Sequence, residues 1–386
     1  MTGSASAQRT PVADTMSDLT IKDVVVHTCR LPYRKAVNFR SVTEDRGQYA
    51  LIRIIADNGQ EGIAESVCRP EQHGEDASAL ARTIETLFKP RLIGLDPLAH
   101  FSALEAINKV KFCRSAKALI DVALWDLKGK ILGQPVWRLL GAAKPKPVPL
   151  TWLVHGNARE TMVAEAVRMN KERGYNSMKL KTWKRSLDDV RLVEDTRKAL
   201  GDDAFLYVDG NGSYSEGEAK SILARVADFG AVFIEEPCKF ADPLRQAAFA
   251  AQMPLPILGD QCVQSLEEVQ LHMRLGSVGA VSIKLRRTGF TQSLKIAAVA
   301  EAAGLPVVVG TDSESRIGAM ARLHFRAALP WLQPYPAETH FFDKLVDDPF
   351  HGDFPFKDGT LTPSDAAGFG AGIDRQKLEA LSFKEA

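Results

Sequence analysis

Five charged residues in the second half of the chain have the types and the spacing that proton-transfer chemistry uses. They are Lys181, Asp209, Glu235, Asp260 and Lys284, separated by 28, 26, 25 and 24 residues. Each lies at the end of a short apolar run, as in "LYVD" and "VFIE". If each interval is one strand and one helix, all five side chains return to the same rim of a parallel sheet, where such folds place their chemistry.

The three carboxylates in this series predict a metal site. Neighbouring carboxylates repel one another unless a cation lies among them. A ligand set made only of oxygen atoms suits Mg²⁺. The alternative is that each acid caps the helix after its strand. That alternative would suffice for Asp260 alone, but three acids in succession between two lysines favour the metal site.

The lysines around these acids predict acid–base chemistry. In "SMKLK", Lys179 and Lys181 share one face of a strand because successive side chains alternate. Alone, such a pair would equally suit an exposed edge strand. Beside a metal, two neighbouring ammonium groups lower each other's pKa, and Lys284 reaches the site from the other side. A lysine of lowered pKa can act as a base near neutral pH, and the metal would stabilise an enolate.

The elements that must position these residues are short apolar strands that alternate with amphipathic helices. From Val148 onward the strands are VPLTWLV, SMKLK, AFLYV, AVFIE, PILG, AVSIK and PVVVG. Strands that are nearly continuous apolar runs are typical of a parallel sheet covered on both faces. With an eighth strand around Thr339 to Phe342, they predict an α/β fold, a (β/α)7β barrel of the TIM type. An open parallel sheet is the alternative.

The rest of the chain predicts further parts around this barrel. "IKDVVVHTCRLPY" and "QYALIRIIADNGQEGIAES" indicate an antiparallel sheet, and "ALIDVALWDLKGKILG" indicates a helix. We therefore predict a disordered leader at 1–16, an α+β capping domain at 17–143, the barrel at 144–345, and a C-terminal segment at 346–386 that returns to the capping domain. The leader has no apolar core, so it does not resemble a signal peptide.

Composition restricts the partners. The formal net charge of the 386 residues is +1, which argues against nucleic acid or an anionic membrane as the main partner. The five cysteines are scattered without metal or disulfide spacing, which suggests a cytoplasmic protein. No apolar run is long enough for a membrane span. We expect a small carboxylate as the ligand and assembly into a homo-oligomer.

Taken in order, the motifs resemble those of the enolase superfamily, and within it the muconate-lactonizing-enzyme subgroup of the mandelate racemase/muconate lactonizing enzyme family. The motifs are KLK, VDGNGSY, IEEP, GDQ, IKLRRTG and GTDSESRIG. The resemblance covers nearly the whole chain after the leader. The mandelate-racemase subgroup itself fits less well, because a histidine would be expected at the seventh strand.

The resemblance implies a role for each rim residue. Asp209, Glu235 and Asp260 would bind Mg²⁺, with Mn²⁺ as a substitute. Lys181 and Lys284 would be acid and base on opposite faces of the substrate, and Lys179 would tune Lys181. The remaining positions are Asn211 and Gln261 beside the ligands and Glu314 near the substrate. Gln261 departs from the family pattern, which usually has an acid there.

Substrate specificity would come from the capping domain. Its candidate cations for a second anionic group are Arg34, Lys35, Arg40, Arg69 and His73. Equally, each could belong to a solvated loop face. Trp152 and His155, near the end of the first barrel strand, could line the pocket, although Trp152 could instead be a buried core aromatic.

These observations predict an Mg²⁺-dependent enzyme that abstracts or adds a proton next to a carboxylate through an enolate. The expected reaction is cycloisomerisation, or racemisation or epimerisation of an amino-acid derivative. Dehydration of a hydroxy acid is an alternative on the same site. A non-catalytic binding protein would be expected to lose a ligand or a base, and a metal-dependent hydrolase or aldolase would be expected to use histidine ligands.

Overall fold

The computed structural model describes residues 19–39, 42–143, 145–182, 186–332 and 335–383. The predicted leader and Arg40 lie outside the described residues. Helices and strands are numbered below in chain order. We call residues 19–143 the cap and residues 148–345 the barrel.

The cap is an antiparallel sheet with helices on it. Its strands, in the spatial order β1-β2-β3, are β1 (Ile21–Phe39), β2 (Val42–Ala56) and β3 (Glu61–Cys68). The turn between β2 and β3 contains Gly59 at a φ of 82°, a conformation that favours glycine. The cap helices are α1 (Pro70–His73), α2 (Ala77–Thr83), α3 (Lys89–Leu92), α4 (His100–Asn108), α5 (Arg114–Ile131) and α6 (Val136–Leu139), with a π-helical turn at Ile84–Phe88.

The barrel sheet has seven parallel strands in the sequential order β11-β10-β9-β8-β7-β6-β5. After the short β4 (Val148–Pro149), these strands are β5 (Thr151–Val154), β6 (Ser177–Lys181), β7 (Phe205–Asp209), β8 (Ala231–Glu235), β9 (Ile257–Gly259), β10 (Ala280–Ile283) and β11 (Val307–Val309). The helices that alternate with them are α7 (Arg159–Arg173), α8 (Leu187–Leu200), α9 (Glu216–Ile222), α10 (Pro243–Ala250), α11 (Leu266–Leu275), α12 (Leu285–Ala302) and α13 (Arg316–Ala327). Short 3₁₀ helices lie at Leu223–Phe229, Pro330–Leu332 and Phe341–Lys344.

The predicted position of the eighth strand, Thr339 to Phe342, is wrong. The segment that lies between β11 and β5 comes two residues earlier, where the Ala337 carbonyl accepts from Thr151 N at 2.8 Å. On the other side, Glu338 N donates to Val309 O at 2.8 Å. The chain then enters the 3₁₀ helix, whose Phe341 ring packs 5.4 Å from the ring of Tyr33 in the cap. This aromatic contact and the helical backbone end the strand pairing.

The C-terminal segment contacts both parts. Its elements are β12 (Phe350–Gly352), β13 (Phe356–Lys357), β14 (Thr360–Leu361), β15 (Ala371–Ile373) and α14 (Arg375–Leu381). β14 pairs with β4 at the base of the barrel, whereas Phe383 N donates to Thr28 O of β1 in the cap at 3.0 Å. One large buried apolar cluster runs from the cap sheet into the barrel, and a second, small cluster lies on the barrel strands. Among the described helices, none has the length and apolarity needed to cross a membrane.

Candidate active site

The three strand-end acids do not cap the helices that follow them. Those helices begin instead at short polar residues whose side chains accept backbone N–H groups of the first turn, namely Ser215, Asp242 and Ser265. Asp209, Glu235 and Asp260 are all buried. The strand registers place Asp209 level with Lys181 on one side and with Glu235 on the other. The helix-cap alternative is therefore wrong.

Lys179 lies at the centre of the carboxylates. Its Nζ is 3.1 Å from Asp209 Oδ2, 2.7 Å from Glu235 Oε2 and 3.1 Å from Glu338 Oε1. Burial alone would lower the pKa of Lys179, but Glu235, Glu338 and Asp209 raise that pKa well above its usual range. Lys179 is therefore a permanent ammonium. The sequence analysis expects Lys179 and Lys181 to lower each other's pKa, but the pKa of Lys179 is raised instead.

Lys181 is the more accessible lysine of the pair. Its side chain keeps 13% of its surface exposed, against 7% for Lys179. Its Nζ lies 2.5 Å from Asp209 Oδ2, the oxygen that Lys179 also contacts, and it donates to Asn211 Oδ1. Lys181 is thus held beside a permanent cation with its side chain partly open to the rim.

Lys284 lies at the other end of the row of acids. Its Nζ is 2.9 Å from Asp260 and 3.5 Å from Asp312 Oδ1. Arg287 Nη1 also contacts Asp260, at 2.9 Å. Although burial alone would raise the pKa of Asp260, Arg287 and Lys284 hold that pKa well below its usual range. Asp260 is therefore ionised and shared by two cations.

The buried acids fit a divalent cation. Burial, and next the Asp209 carboxylate, raise the pKa of Glu235 well above its usual range. Glu235 Oε2 is buried and has no hydrogen-bond donor with suitable geometry in the described part of the chain, although Lys179 Nζ is 2.7 Å away. A divalent ion would offset both the burial and the repulsion. No three Asp, Glu, His or Cys side chains among the described residues are already grouped around a metal position, since each acid is turned toward a lysine or an arginine.

Two of the predicted neighbours have different surroundings. Gln261 Nε2 lies 3.3 Å from Asp260 Oδ2, so Gln261 is beside the predicted ligand. Glu314 is buried and pairs with Arg322, and it also accepts from Thr311 Oγ1 at 2.7 Å. The structure therefore gives Glu314 partners of its own, apart from the three lysines.

The side chains of Trp152 and His155 lie in different surroundings. Trp152 Nε1 donates to Glu165 Oε1 of α7 at 2.8 Å, and its ring lies 5.2 Å from that of Tyr175. Trp152 therefore packs between sheet and helix, as the core-aromatic alternative predicts, and a role in the pocket stays a prediction. Burial, followed by Lys344 and Lys181, lowers the pKa of His155 to about 3, so His155 is neutral near the rim lysines.

The cap residues predicted to bind an anionic group differ in exposure to solvent. Arg34 is exposed and donates to Asp343 O at 3.2 Å, so it faces the 3₁₀ helix after the barrel strands. Lys35 is exposed as well. Arg69, in contrast, is buried, 3.0 Å from Glu44 Oε2, and is not part of a solvated face.

His73 lies at a cavity between the cap and the barrel. It accepts from Arg69 N through Nδ1 at 3.2 Å. Burial, followed by Arg286, lowers the pKa of His73 to about 3. The cavity has a volume of about 330 Å³ and is lined by Gln72, His73, Glu75, Arg114, Ser115, Gln261, Gln264, Arg286 and Arg287. His73 therefore borders the end of the site that holds Lys284.

Four buried residues at the site were not identified from the sequence: Arg287, Asp312, Glu338 and Lys344. Glu338 contacts Lys179 and also accepts from Tyr207 Oη at 2.6 Å. A prediction of the eighth segment two residues earlier would have included Glu338 and so indicated it as a rim residue. Asp312 follows β11 in GTDSESRIG, the same motif that contains Glu314. Lys344 donates to Leu153 O at 3.1 Å.

The fold and the site define a capped parallel barrel with a rim of lysines and carboxylates, the class in which a proton is moved next to a carboxylate. Two family models match the chain: "Mandelate racemase / muconate lactonizing enzyme, N-terminal domain" at residues 20–141 and "Enolase C-terminal domain-like" at residues 161–377. The chain belongs to the mandelate racemase/muconate lactonizing enzyme family of the enolase superfamily.

Individual relatives support this membership. A chloromuconate cycloisomerase of Pseudomonas putida is 32% identical over 369 residues, covering 94% of this chain and 96% of the relative. An L-Ala-D/L-Glu epimerase of Clostridium acetobutylicum is 27% identical over 80% of this chain and 87% of the relative. A crystal structure of muconate lactonizing enzyme from Pseudomonas fluorescens, complexed with muconolactone, superposes with a TM-score of 0.89 at 27% identity, covering 95% of this chain and 100% of that chain.

These matches confirm the predicted (β/α)7β fold class and the prediction of an enolase-superfamily isomerase. They agree with the predicted reaction, proton transfer next to a carboxylate, because both cycloisomerases and epimerases of this family are among the relatives. Membership of the family also implies a divalent metal.

Proposed function

We propose that the protein is an Mg²⁺-dependent isomerase in which Lys181 and Lys284 transfer protons at the carbon next to a substrate carboxylate. The observation that carries the proposal is the arrangement of these lysines at opposite ends of the row of carboxylates. Asp209 holds Lys181 at 2.5 Å, and Asp260 holds Lys284 at 2.9 Å. Two bases so separated can address opposite faces of one carbon.

Asp209, Glu235 and Asp260 would hold the metal, with Mn²⁺ as a substitute for Mg²⁺. When bound, the metal supplies positive charge that stabilises the enolate oxygens formed as the proton leaves. Lys179 adds a permanent ammonium, since three carboxylates keep its pKa high. Lys181 and that cation share a contact with the same carboxylate oxygen, Asp209 Oδ2. Asn211 orients Lys181 by accepting its N–H.

Cycloisomerisation of a muconate-like unsaturated dicarboxylate is the first candidate reaction. It rests on the cycloisomerase relative and the muconolactone-bound neighbour, both of which align with nearly the whole chain. In the lactone-forming direction one lysine would donate a proton to the carbon next to the carboxylate, and the other would contribute charge.

Epimerisation of an amino-acid derivative is the second candidate. The presence of both lysines, each with a carboxylate partner, favours it, because epimerisation needs one base on each face. The epimerase relative supports the same reaction.

The test uses cis,cis-muconate, muconolactone, L-Ala-L-Glu and L-Ala-D-Glu as probes with Mg²⁺ present. Loss of the diene absorbance would identify cycloisomerisation, and α-proton exchange with deuterium oxide, followed by NMR, would identify epimerisation. Both activities should disappear after chelation. Full turnover after exhaustive chelation would contradict the metal assignment, and failure to exchange or convert any probe would contradict both candidates.

We further propose that the enzyme is a cytoplasmic homo-oligomer. The side chains of Phe101 and Phe112, on the cap helix α4 and just after it, are 76% and 71% exposed. Exposed aromatic side chains of this size are typical of contact surfaces. Light scattering coupled to size exclusion would measure the assembly, and a monomer at micromolar concentration would contradict it.

A further inference from the structure

Asp312 is a buried acid that contacts Lys284 but is not among the predicted metal ligands. It lies on the turn between β11 and α13, and its side chain is 7% exposed. Its Oδ1 is 3.5 Å from Lys284 Nζ, and its Oδ2 is 3.0 Å from Arg286 Nε. β10 and β11 are paired neighbours, so Asp312 reaches Lys284 from the adjoining strand end.

The turn that carries Asp312 is fixed by the cap. Tyr49 Oη donates to Ser313 O at 2.7 Å, and Arg69 Nη1 donates to Asp312 O at 3.0 Å. Ser313 has a φ of 84°, an unfavourable conformation that surrounding contacts must maintain. Two buried cap side chains thus hold the backbone of the turn that carries Asp312.

The carboxylate is ionised. Burial alone would raise the pKa of Asp312, but Lys284, Arg286 and Arg287 hold that pKa well below its usual range. The other carboxylate beside Lys284, Asp260, is shared with Arg287 and belongs to the predicted metal ligands. Of the two acids that contact Lys284 in the described part of the chain, Asp312 is therefore the one not assigned to the metal. Position 261, next to Asp260, carries a neutral glutamine.

We propose that Asp312 is a positioning residue for Lys284: its carboxylate holds the Lys284 ammonium on the face of the substrate opposite Lys181, and the cap fixes that carboxylate in place. This proposal rests on the proposed function for the assignment of Lys284 as an acid and base. It adds one requirement to that function: proton transfer on the substrate face served by Lys284 should need Asp312, whereas proton transfer on the face served by Lys181 should not.

The first test is Asp312→Asn, which keeps the side-chain volume and removes the charge. With L-Ala-L-Glu and L-Ala-D-Glu as probes in deuterium oxide, α-proton exchange should fall by about a hundredfold for the epimer served by Lys284, the size of effect expected from a misplaced group. Exchange for the epimer served by Lys181 should be retained. Equal loss for both epimers, or no loss for either, would overturn the proposal.

Two further variants separate positioning from stability. Asp348→Asn removes another buried carboxylate, one that lies 2.7 Å from Arg316 away from the lysines, and it should leave the ratio of the two exchange rates unchanged. Adding Gln261→Glu to Asp312→Asn should restore part of the lost exchange, because residue 261 lies beside Asp260 and so near Lys284. Absence of any recovery would mean that Asp312 does not act through charge near Lys284 and would overturn the proposal.

A measurement without substrate keeps the two proposals distinguishable. In a crystal structure of Asp312→Asn, the Lys284 side chain should leave its position between residues 260 and 312, while Lys181 stays in contact with Asp209. An unchanged Lys284 would overturn the inference whatever the wild type does with the probes. If the wild type exchanges no probe but Lys284 moves, the proposed function fails and the positioning role stands.

Discussion

At the scale of single residues, the site is a balance of buried charges. Lys179 is surrounded by Asp209, Glu235 and Glu338, and all four side chains are buried. Burying an ion costs several kcal/mol unless partners compensate it, so removing one member changes the whole group. Among the three predicted metal ligands, Glu235 has the least favourable surroundings: burial and Asp209 raise its pKa, whereas, despite burial, neighbouring cations lower the pKa values of Asp209 and Asp260.

Replacing Glu235 by Gln should therefore separate metal binding from folding. The wild type should gain thermal stability as Mg²⁺ is added, because a ligand that binds only the folded state stabilises it. Glu235→Gln should lose that gain and its activity, whereas its metal-free melting temperature should change little, because the partner lost by Lys179 is offset by the repelling neighbour lost by Asp209. Differential scanning calorimetry across an Mg²⁺ titration measures both effects.

Glu165→Gln is the control for this change. Glu165 accepts from Trp152 Nε1 at 2.8 Å and is not one of the predicted metal ligands. The Mg²⁺-dependent rise in melting temperature should persist in this variant. A rise that survived in Glu235→Gln as well would contradict the assignment of Glu235 as a ligand.

Lys344 should make stability depend on pH. Burial lowers its pKa from 10.5 to about 8. Between those values the unfolded chain binds a proton that the folded protein does not, so stability rises with pH there and is lowest below pH 8. Relative to Lys344→Met, the wild type should gain about 1.4 kcal/mol of unfolding free energy per pH unit in this window. Urea unfolding at several pH values measures the difference in unfolding free energy between the wild type and Lys344→Met. A difference independent of pH would contradict the lowered pKa of Lys344.

The sequence could predict Asp209, Glu235, Asp260 and the lysines because each ends a regular strand, so that spacing alone fixes which rim they share. Asp312 and Glu338 could not be found in this way. Asp312 lies in the turn beyond the end of β11, and Glu338 lies in the irregular eighth segment. Their roles depend on contacts with Lys284 and Lys179 that join distant parts of the chain. Gln261 lies beside Asp260 because the two are adjacent in sequence.

At the scale of elements, the alternation of apolar strands and amphipathic helices predicted all seven parallel strands and their order. The eighth segment was misplaced because it is joined to its neighbours by few hydrogen bonds and has no extended apolar run. Nearness to a strand end does not by itself predict a pocket residue, because successive side chains of a strand point to opposite faces of the sheet. Trp152 thus points to α7, whereas Leu153, the next residue, is level with Lys179.

The contact between β2 and the turn after β11 should matter for catalysis as well as stability. Tyr49→Phe removes the hydrogen bond to Ser313 O and should cost about 1–3 kcal/mol, because a buried carbonyl loses its donor. Since the same turn carries Asp312, kcat/KM should fall too, by about tenfold or more. Urea unfolding and steady-state kinetics measure the two effects.

Tyr175→Phe is the matched control. Its hydroxyl donates to Asp343 Oδ2 at 2.8 Å, outside the turn that carries Asp312. This variant should lose stability with little change in kcat/KM. Equal losses of kcat/KM in the two variants would show that the kinetic effect follows from lower overall stability and not from displacement of the turn that carries Asp312.

At the scale of the whole molecule, the cap and the barrel share one apolar core and are joined by polar contacts at several places. Glu65 of β3 accepts from the backbone of Ser315 at the start of α13, and Trp137 of α6 donates to Ser364 O in the C-terminal segment at 2.9 Å. The predicted division at residues 143 and 345 remains a prediction, since these contacts tie each part to the next. We therefore expect the chain to unfold as one cooperative unit.

Removing the final helix tests that cooperativity. A chain that ends at Ile373 lacks Leu378, which is 3% exposed, and lacks the hydrogen bond from Phe383 N to Thr28 O on β1. The loss should lower the unfolding free energy by about 2–5 kcal/mol, the usual effect of deleting a large buried aliphatic side chain. Because the core is continuous, hydrogen exchange in dilute urea should show β1–β3 and β6–β8 losing protection together. Leu378→Ala should reproduce the effect in the full-length chain. Barrel strands that kept full protection while the cap strands lost it would show two independent units, and the rim lysines would then not need the cap to stay folded.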